Sequence, residues 1–212
     1  MTTMARDARF WNRFARRYAA SQIRDPEGYE RTLARTTQLI RGARSVLEIG
    51  CGTGTTALRL AGEVGHLLAT DISPDMIAIA REKATAQGCA NVDFAVAAPE
   101  EVAKPEQGFD AVLAFSVLHL LRDEAAALRH LHDLLKPGGL LVSKTPCLAE
   151  LNIVIRLAIP IMRWIGLAPH VNLGRAAELE RAISAAGFTI TERGRHGAKG
   201  KDFRLFLVAQ KV

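Results

Sequence analysis

Val46-Leu47-Glu48-Ile49-Gly50-Cys51-Gly52-Thr53-Gly54 is the stretch that decides the fold. A short apolar strand carries an acid near its end, three glycines follow at every second position, and residues 55–63 read as a helix. Glycine has no Cβ, so a chain built this way can turn sharply and lie against a ligand. The helix behind the loop points its unpaired N–H groups at whatever occupies it. This fits a nucleoside-containing ligand laid across the strand end. The spacing is G-x-G-x-G with Glu48 two residues before the first glycine. A dinucleotide fingerprint would read G-x-G-x-x-G, which disfavours a nicotinamide oxidoreductase.

The neighbouring sequence extends the pattern. His66-Leu67-Leu68-Ala69-Thr70 reads as a second strand that ends at Asp71, 17 residues after Gly54, about the interval one crossover helix needs. A carboxylate at that strand tip can accept hydrogen bonds from ribose hydroxyls. Ser73, Pro74 and Asp75 then supply an N-cap, a first-turn proline and an acid suited to the helix dipole. Residues 91–94 read as a third strand, and Gly108-Phe109-Asp110-Ala111-Val112-Leu113-Ala114-Phe115 contains a nearly continuous apolar strand, as when both sheet faces are covered. Leu134-Leu135-Lys136-Pro137-Gly138-Gly139 reads as a helix stop, with residues 140–143 as the next strand.

In this order, residues 46–144 resemble the class I S-adenosylmethionine-dependent methyltransferases, with 46–54 similar to their motif I. The resemblance implies an α/β, Rossmann-like three-layer sandwich. Its seven-stranded, mostly parallel sheet would end in an antiparallel hairpin, here residues 188–193 and 203–210, after a helix over 175–186 closed by Gly187. It divides the chain into an N-terminal helical lid segment, 1–44, and a methyltransferase domain, 45–212. One departure stands out. Where the family often places a Gly-Asp-Ala turn whose acid meets the adenine amino group, this chain has Ala97, Ala98 and Pro99.

The resemblance also implies site roles. Glu48 organises the loop and meets the cofactor's amino group; Gly50, Cys51, Gly52, Thr53 and Gly54 bring the backbone to the methionine moiety. Asp71 holds the ribose; Ile72, Met76, Ala97 and Ala98 flank the adenine; Phe115 and Ser116 lie near the methionine end. Tyr18 resembles an N-terminal tyrosine that closes over the cofactor in many members, and Tyr29 is a second aromatic that could do so or touch substrate. His119 is the candidate general base, set against a purely structural histidine. S-adenosylmethionine is the expected cofactor and S-adenosylhomocysteine the expected product.

Composition agrees with one α/β domain: 212 residues, 49% hydrophobic. Cys51, Cys89 and Cys147 make neither a disulfide framework nor a zinc spacing, which points to a reducing, cytoplasmic setting and to no bound metal. The N-terminus is basic and lacks the apolar run of a signal peptide.

Charge is unevenly placed. Residues 1–44 carry ten arginines against four acids, and the remaining 18 basic and 18 acidic residues cancel. Within that segment, residues 5–20 read as a helix with Phe10, Trp11, Phe14 and Tyr18 on one face and Arg6, Arg9, Arg13, Arg16 and Arg17 on the other. Such a helix serves either as a lid, its aromatic face docked on the glycine loop, or as a peripheral contact with an anionic membrane; an RNA-binding face is the third option. Residues 148–165 are strongly apolar but keep Glu150, Arg156, Pro160 and Arg163, a poor membrane span. The family places substrate-pocket residues here, so Arg156, Arg163 and Trp164 become candidate substrate contacts, against the alternative of a plain core helix.

The expected function is methyl transfer to a small, apolar or lipid-like acceptor, a phospholipid headgroup amine among the options. An RNA or ribosome methyltransferase and a non-catalytic cofactor-binding scaffold stand as alternatives. The chain reads Ser-Val-Leu-His after Phe115 rather than an Asn-Pro-Pro-Tyr type motif, which disfavours N-methylation of DNA bases.

Overall fold

The computed structural model describes residues 3–151, 169–197 and 202–212. The strands β1 (Ser45–Ile49), β2 (His66–Asp71), β3 (Val92–Val96), β4 (Phe109–Phe115), β5 (Leu135–Pro146), β6 (Phe188–Gly194) and β7 (Arg204–Lys211) form one sheet in the order β3-β2-β1-β4-β5-β7-β6. Strands β1 to β5 are parallel, and β7 runs antiparallel to both β5 and β6. This is the Rossmann-like sheet with a terminal hairpin that the sequence implies. The order reverses at β1: the chain builds outward to β3, then returns to lay β4 on the other side. The crevice at the carboxyl ends of β1 and β4 is therefore the switch point where such sheets hold ligands.

Alternation along each strand feeds two cores. On one face Val46, Leu67, Leu113 and Phe206 pack with Leu60, Ile77 and Phe94; on the other Leu47, Ile49, Val112 and Leu207 pack with Leu128, Leu131 and Ile183. The helices α1 (Thr3–Ala19), α2 (Pro26–Ile40), α3 (Thr55–Leu60), α4 (Pro74–Ala86), α5 (Glu124–Leu134) and α6 (Ala176–Ala185) flank the sheet. Their starts follow local chemistry: Asp25, Ser73 and Asp123 accept from Gly28, Met76 and Ala126 backbone N–H groups, with proline opening α2 and α4.

Three elements differ from the sequence reading. The helix expected over 55–63 becomes a 3-10 turn at Ala61. The segment Lys136-Pro137-Gly138-Gly139 is not only a helix stop. It lies within β5, which starts at Leu135 and shifts register against β4 between the pairs Phe109–Leu135 and Ala111–Leu140. The 1–44 segment holds two helices, and α2 sinks Leu33 and Ile40 into the core shared with β1.

Candidate active site

The loop after β1 turns through three left-handed glycines, at φ 63°, 54° and 73°. Two explain the spacing. A Cβ on Gly50 would collide with the Val117 side chain, whereas one on Gly52 would meet only Tyr18 Cε1, at 3.6 Å. Gly50 thus packs the loop against the segment after β4, and Gly52 leaves a backbone cradle open toward Tyr18.

Beside this cradle lies a cavity of about 330 Å³. Tyr18, Gly50, Gly52, Asp71, Ile72, Met76, Ala97, Phe115, Ser116 and His119 line it, so the strand ends, the α4 start and the first helix converge there. Asp71 is locked by two backbone donors: Oδ2 accepts from Gly52 N at 3.0 Å and Oδ1 from Ser73 N at 2.8 Å. A carboxylate has about four acceptor sites, so both oxygens keep capacity for a ligand's hydroxyls. Burial raises the Asp71 pKa against the pull of those two N–H groups.

Glu48 sits behind the loop, 2% exposed. Its Oε2 is buried with no hydrogen-bond partner. Burial, and then the Asp71 charge, push its pKa up to about 8. A buried, unpartnered carboxyl is costly unless something pairs with it. A cationic ammonium on a ligand would do so, and together with Asp71 and the Gly52 cradle it makes a donor set that fits S-adenosylmethionine.

The far wall carries His119. Its Nδ1 is buried without a partner, and burial pushes the imidazole pKa down to about 4, so the ring is neutral at physiological pH. Next to it Ser116 adopts φ 55°, a strained value for a residue with a Cβ. Beyond His119 a second cavity of about 530 Å³ opens. His119, Pro146, His170 and Val171 line both spaces, so the imidazole stands on the wall between two adjoining cavities.

Helix α1 covers one side. Its alanine face packs along α4, with Ala15 fully buried, and Asn12 Oδ1 accepts from Ser73 Oγ at 2.5 Å. Asp7, Trp11 and Tyr18 turn to the cavity. Asp7 also takes both Arg122 donors, at 2.9 and 3.0 Å, a bidentate clasp from the helix to the segment after β4. The aromatic face was expected to dock on the glycine loop. Tyr18 lies against Gly52 of that loop and Trp11 lines the cavity beside it, while Ala15 and Asn12 face α4, where small side chains allow close helix approach.

The other expected residues fall elsewhere. Cys51 is buried behind the loop, its thiol pKa raised by burial and then by Glu48 and Asp71, which leaves no reactive thiolate. Thr53 and its carbonyl are taken by the Lys83 ammonium, at 2.9 and 3.1 Å, and Gly54 caps α3. Ala98 does not line the cavity; its N–H donates to Glu101 at 2.8 Å. The Tyr29 hydroxyl pairs with Thr56 Oγ1 at 3.2 Å, off the cavity wall. Arg156, Arg163 and Trp164 lie outside the described residues. Sequence reasoning missed Asp7, Asn12, Arg122 and His170. The signal for Asp7 was present: it is the single acid on an otherwise basic helix. Among the described residues no group of three or more His, Cys, Asp or Glu could hold a metal ion.

The fold and this donor set define an α/β domain that binds a nucleoside-bearing cation at the β1 crevice. Residues 46–139 match the profile of a family described as a methyltransferase domain, and the fold and site around that segment are those of the class I S-adenosylmethionine-dependent methyltransferases. A ubiquinone biosynthesis O-methyltransferase of Sinorhizobium fredii is 31% identical over 163 residues, 75% of this chain and 65% of the relative. One of Rhizobium etli is 32% identical over 154 residues, 70% of this chain and 61% of the relative. The chain thus spans under two thirds of these relatives' length. Among solved structures, the magnesium protoporphyrin IX methyltransferase of Synechocystis, with bound S-adenosylhomocysteine, superimposes with TM-score 0.72 at 20% identity, covering 99% of both chains. The N-methyltransferase NodS of Bradyrhizobium japonicum, also with S-adenosylhomocysteine, gives 0.71 at 21% identity, covering 95% of this chain and 98% of its own. These two likenesses establish the fold.

Proposed function

We propose that this protein transfers the methyl group of S-adenosylmethionine in line to a hydroxyl on a small, apolar or lipid-like acceptor. The carrying observation is the cavity beside the glycine loop: Asp71 lines one end with Glu48 buried behind the loop, and the neutral His119 stands on the wall that this cavity shares with a second one. When bound, the cofactor supplies a methyl group already activated on a sulfonium. The chain's own residues position and exclude water. Glu48 pairs with the ammonium, Asp71 receives the ribose hydroxyls, and Ile72, Met76 and Ala97 give apolar walls to the adenine. His119, neutral and lining the cavity, accepts the acceptor's O–H hydrogen bond, aims its lone pair, and takes the proton once oxygen gains the methyl group. An oxygen that has gained a methyl group is a much stronger acid than imidazolium, so a low histidine pKa does not prevent this step. An amine acceptor would need no such base; the O-methyltransferase names of the relatives favour the hydroxyl.

The finer reading places the enzyme in the cytoplasm, peripheral on an anionic membrane face. Among the described residues no helix is long and apolar enough to cross a membrane. The test is incubation with methyl-labelled S-adenosylmethionine and whole-cell extract, then partition into lipid, aqueous, RNA and protein fractions. Label in the organic phase, stable to mild alkali as an ether is, is expected. Label in RNA or protein refutes the acceptor class, and cofactor binding without any label makes the chain a scaffold.

A further inference from the structure

Helix α1 presents three faces, two of them already occupied. At 3.6 residues per turn, Ala8, Asn12, Ala15 and Ala19 share the face against α4, and Asp7, Trp11 and Tyr18 share the face over the cavity. Arg6, Arg9, Arg13, Arg16 and Arg17 fall within an arc of about 100° on the remaining side. All five are exposed, and Arg6, Arg13, Arg16 and Arg17 have no ion-pair partner among the described residues. Elsewhere Arg31, Arg35, Arg41, Arg59, Arg122, Arg193, Arg195 and Arg204 each meet a carboxylate, while Arg24, Arg44, Arg81, Arg129, Arg175 and Arg181 form no ion pair among the described residues, so what sets α1 apart is the gathering of such arginines on one face. Four like charges on one helix face with no ion pair among the described residues repel one another and make a surface in want of an anion.

The flank of the row tells which anion. Phe10 and Phe14 lie between the arginines and the cavity face, half-buried and stacked on each other at 4.8 Å. Tyr18 and Ile23 continue that edge at the helix end, 54% and 45% exposed. A cationic face bordered lengthwise by aromatic and aliphatic side chains is the pattern of a helix that lies in a lipid interface. Aromatic side chains can also stack nucleobases, but Phe10 and Phe14 are half-buried against each other and the edge continues with the aliphatic Ile23, which favours lipid.

We propose that the arginine face of α1 is the docking surface for an anionic lipid bilayer, lying parallel to it with Phe10, Phe14, Tyr18 and Ile23 at headgroup depth. In that pose the cavity edge formed by Trp11 and Tyr18 adjoins the interface, so an apolar acceptor enters the site from the bilayer without crossing water. The orientation rests on the proposed apolar acceptor; the docking surface itself does not.

The test is sedimentation of the full chain with vesicles of phosphatidylglycerol and phosphatidylcholine mixed, against pure phosphatidylcholine. The wild type is compared with a variant carrying Arg6→Gln, Arg13→Gln, Arg16→Gln and Arg17→Gln. Each arginine near an anionic surface is worth about 5-fold in partitioning, so the variant should lose on the order of 10³-fold, and wild-type binding should weaken steeply between about 0.1 M and 0.5 M salt. Calorimetric cofactor binding, expected unchanged in the variant, controls for folding. Equal binding to both vesicle types, or full binding by the variant, overturns the proposal. So does salt-dependent capture of a homopolymeric RNA with no vesicle binding. Vesicle binding with no lipid-soluble methylated product would leave the docking surface standing and sink the acceptor reading alone.

Discussion

Replacing Glu48 with glutamine should stabilise the empty protein and weaken its hold on the cofactor, and pH separates the two effects. Glu48 is fully enclosed, with one oxygen unpartnered, and its pKa in the fold is about 8 against 4.5 for the free group. The folded state therefore keeps a proton that the unfolded chain has lost between those values. Ionisation favours the unfolded chain, so this residue's contribution is full below pH 4.5 and falls as pH rises toward about 8. One pKa unit corresponds to about 1.4 kcal/mol, so at pH 7 the wild type carries a penalty on the order of 3 kcal/mol that Glu48→Gln removes. For a chain of this size that is a rise in Tm of about 6–12 °C at neutral pH, shrinking to nothing near pH 4.5. Denaturant unfolding of both proteins from pH 4.5 to 8 reads the difference directly. A cationic ligand group would also draw the proton off Glu48, so wild-type cofactor affinity should climb over the same range, and the variant's should stay flat and lower. A stability difference that does not change with pH, or a variant less stable at pH 7.5, would refute the reasoning.

Three further outcomes follow from the same geometry. Asp71→Asn should weaken cofactor binding by about 10- to 100-fold in calorimetry, the loss of one charge-assisted contact, while leaving the sheet intact. His119→Gln should lower kcat by about 10²-fold or more and change KM little; because the wild-type imidazole titrates near pH 4, its kcat/KM profile should show no limb from this residue between pH 6 and 8. Arg122→Gln breaks a part-exposed pair with Asp7 and should cost no more than about 1 kcal/mol, yet speed cofactor release in stopped-flow, since the clasp ties α1 to the other side of the cavity.

What the sequence revealed was what local rules govern. The central strands read correctly because two covered faces leave them almost wholly apolar, and the loop glycines read correctly because left-handed turns and close approach admit little else. Asp71 was legible from its place at a strand tip one crossover after Gly54. The roof was only half legible. Periodicity separates the arginines from the aromatics on α1, yet it cannot say that the alanine face docks, because that depends on how close α4 comes. His170 lines both cavities from a stretch that belongs to no helix or strand, where no periodicity exists to be read. The run after β4 hid its most unusual feature, the positive φ of Ser116, because serine carries no sequence mark of it.

That strained serine shows how the site divides its rigidity. Ser116 N–H donates to the Lys144 carbonyl at 2.8 Å, so the neighbouring strand holds a conformation that costs on the order of 1–3 kcal/mol. Lys144 itself is 6% exposed, and its ammonium reaches Thr32 Oγ1 at 2.8 Å and lies 3.5 Å from Asp202 Oδ2. Asp202 in turn binds Arg204 at 2.7 Å, and Arg204 binds Asp25 at 3.1 Å. One residue of β5 thus fixes the cavity floor through its backbone and, through its side chain, ties α2 to the start of β7. Removing a partner from such a buried set leaves a charge uncompensated, so the floor resists deformation. The roof has no comparable support. Its polar ties are the Asn12–Ser73 hydrogen bond at the start of α4 and the part-exposed Asp7–Arg122 clasp, and its apolar support is the packing of Ala15 along α4. Asp7, Trp11 and Tyr18 of that helix line the cavity, and the same helix carries the proposed docking face, so a surface that binds its arginines would bear on one wall of the site.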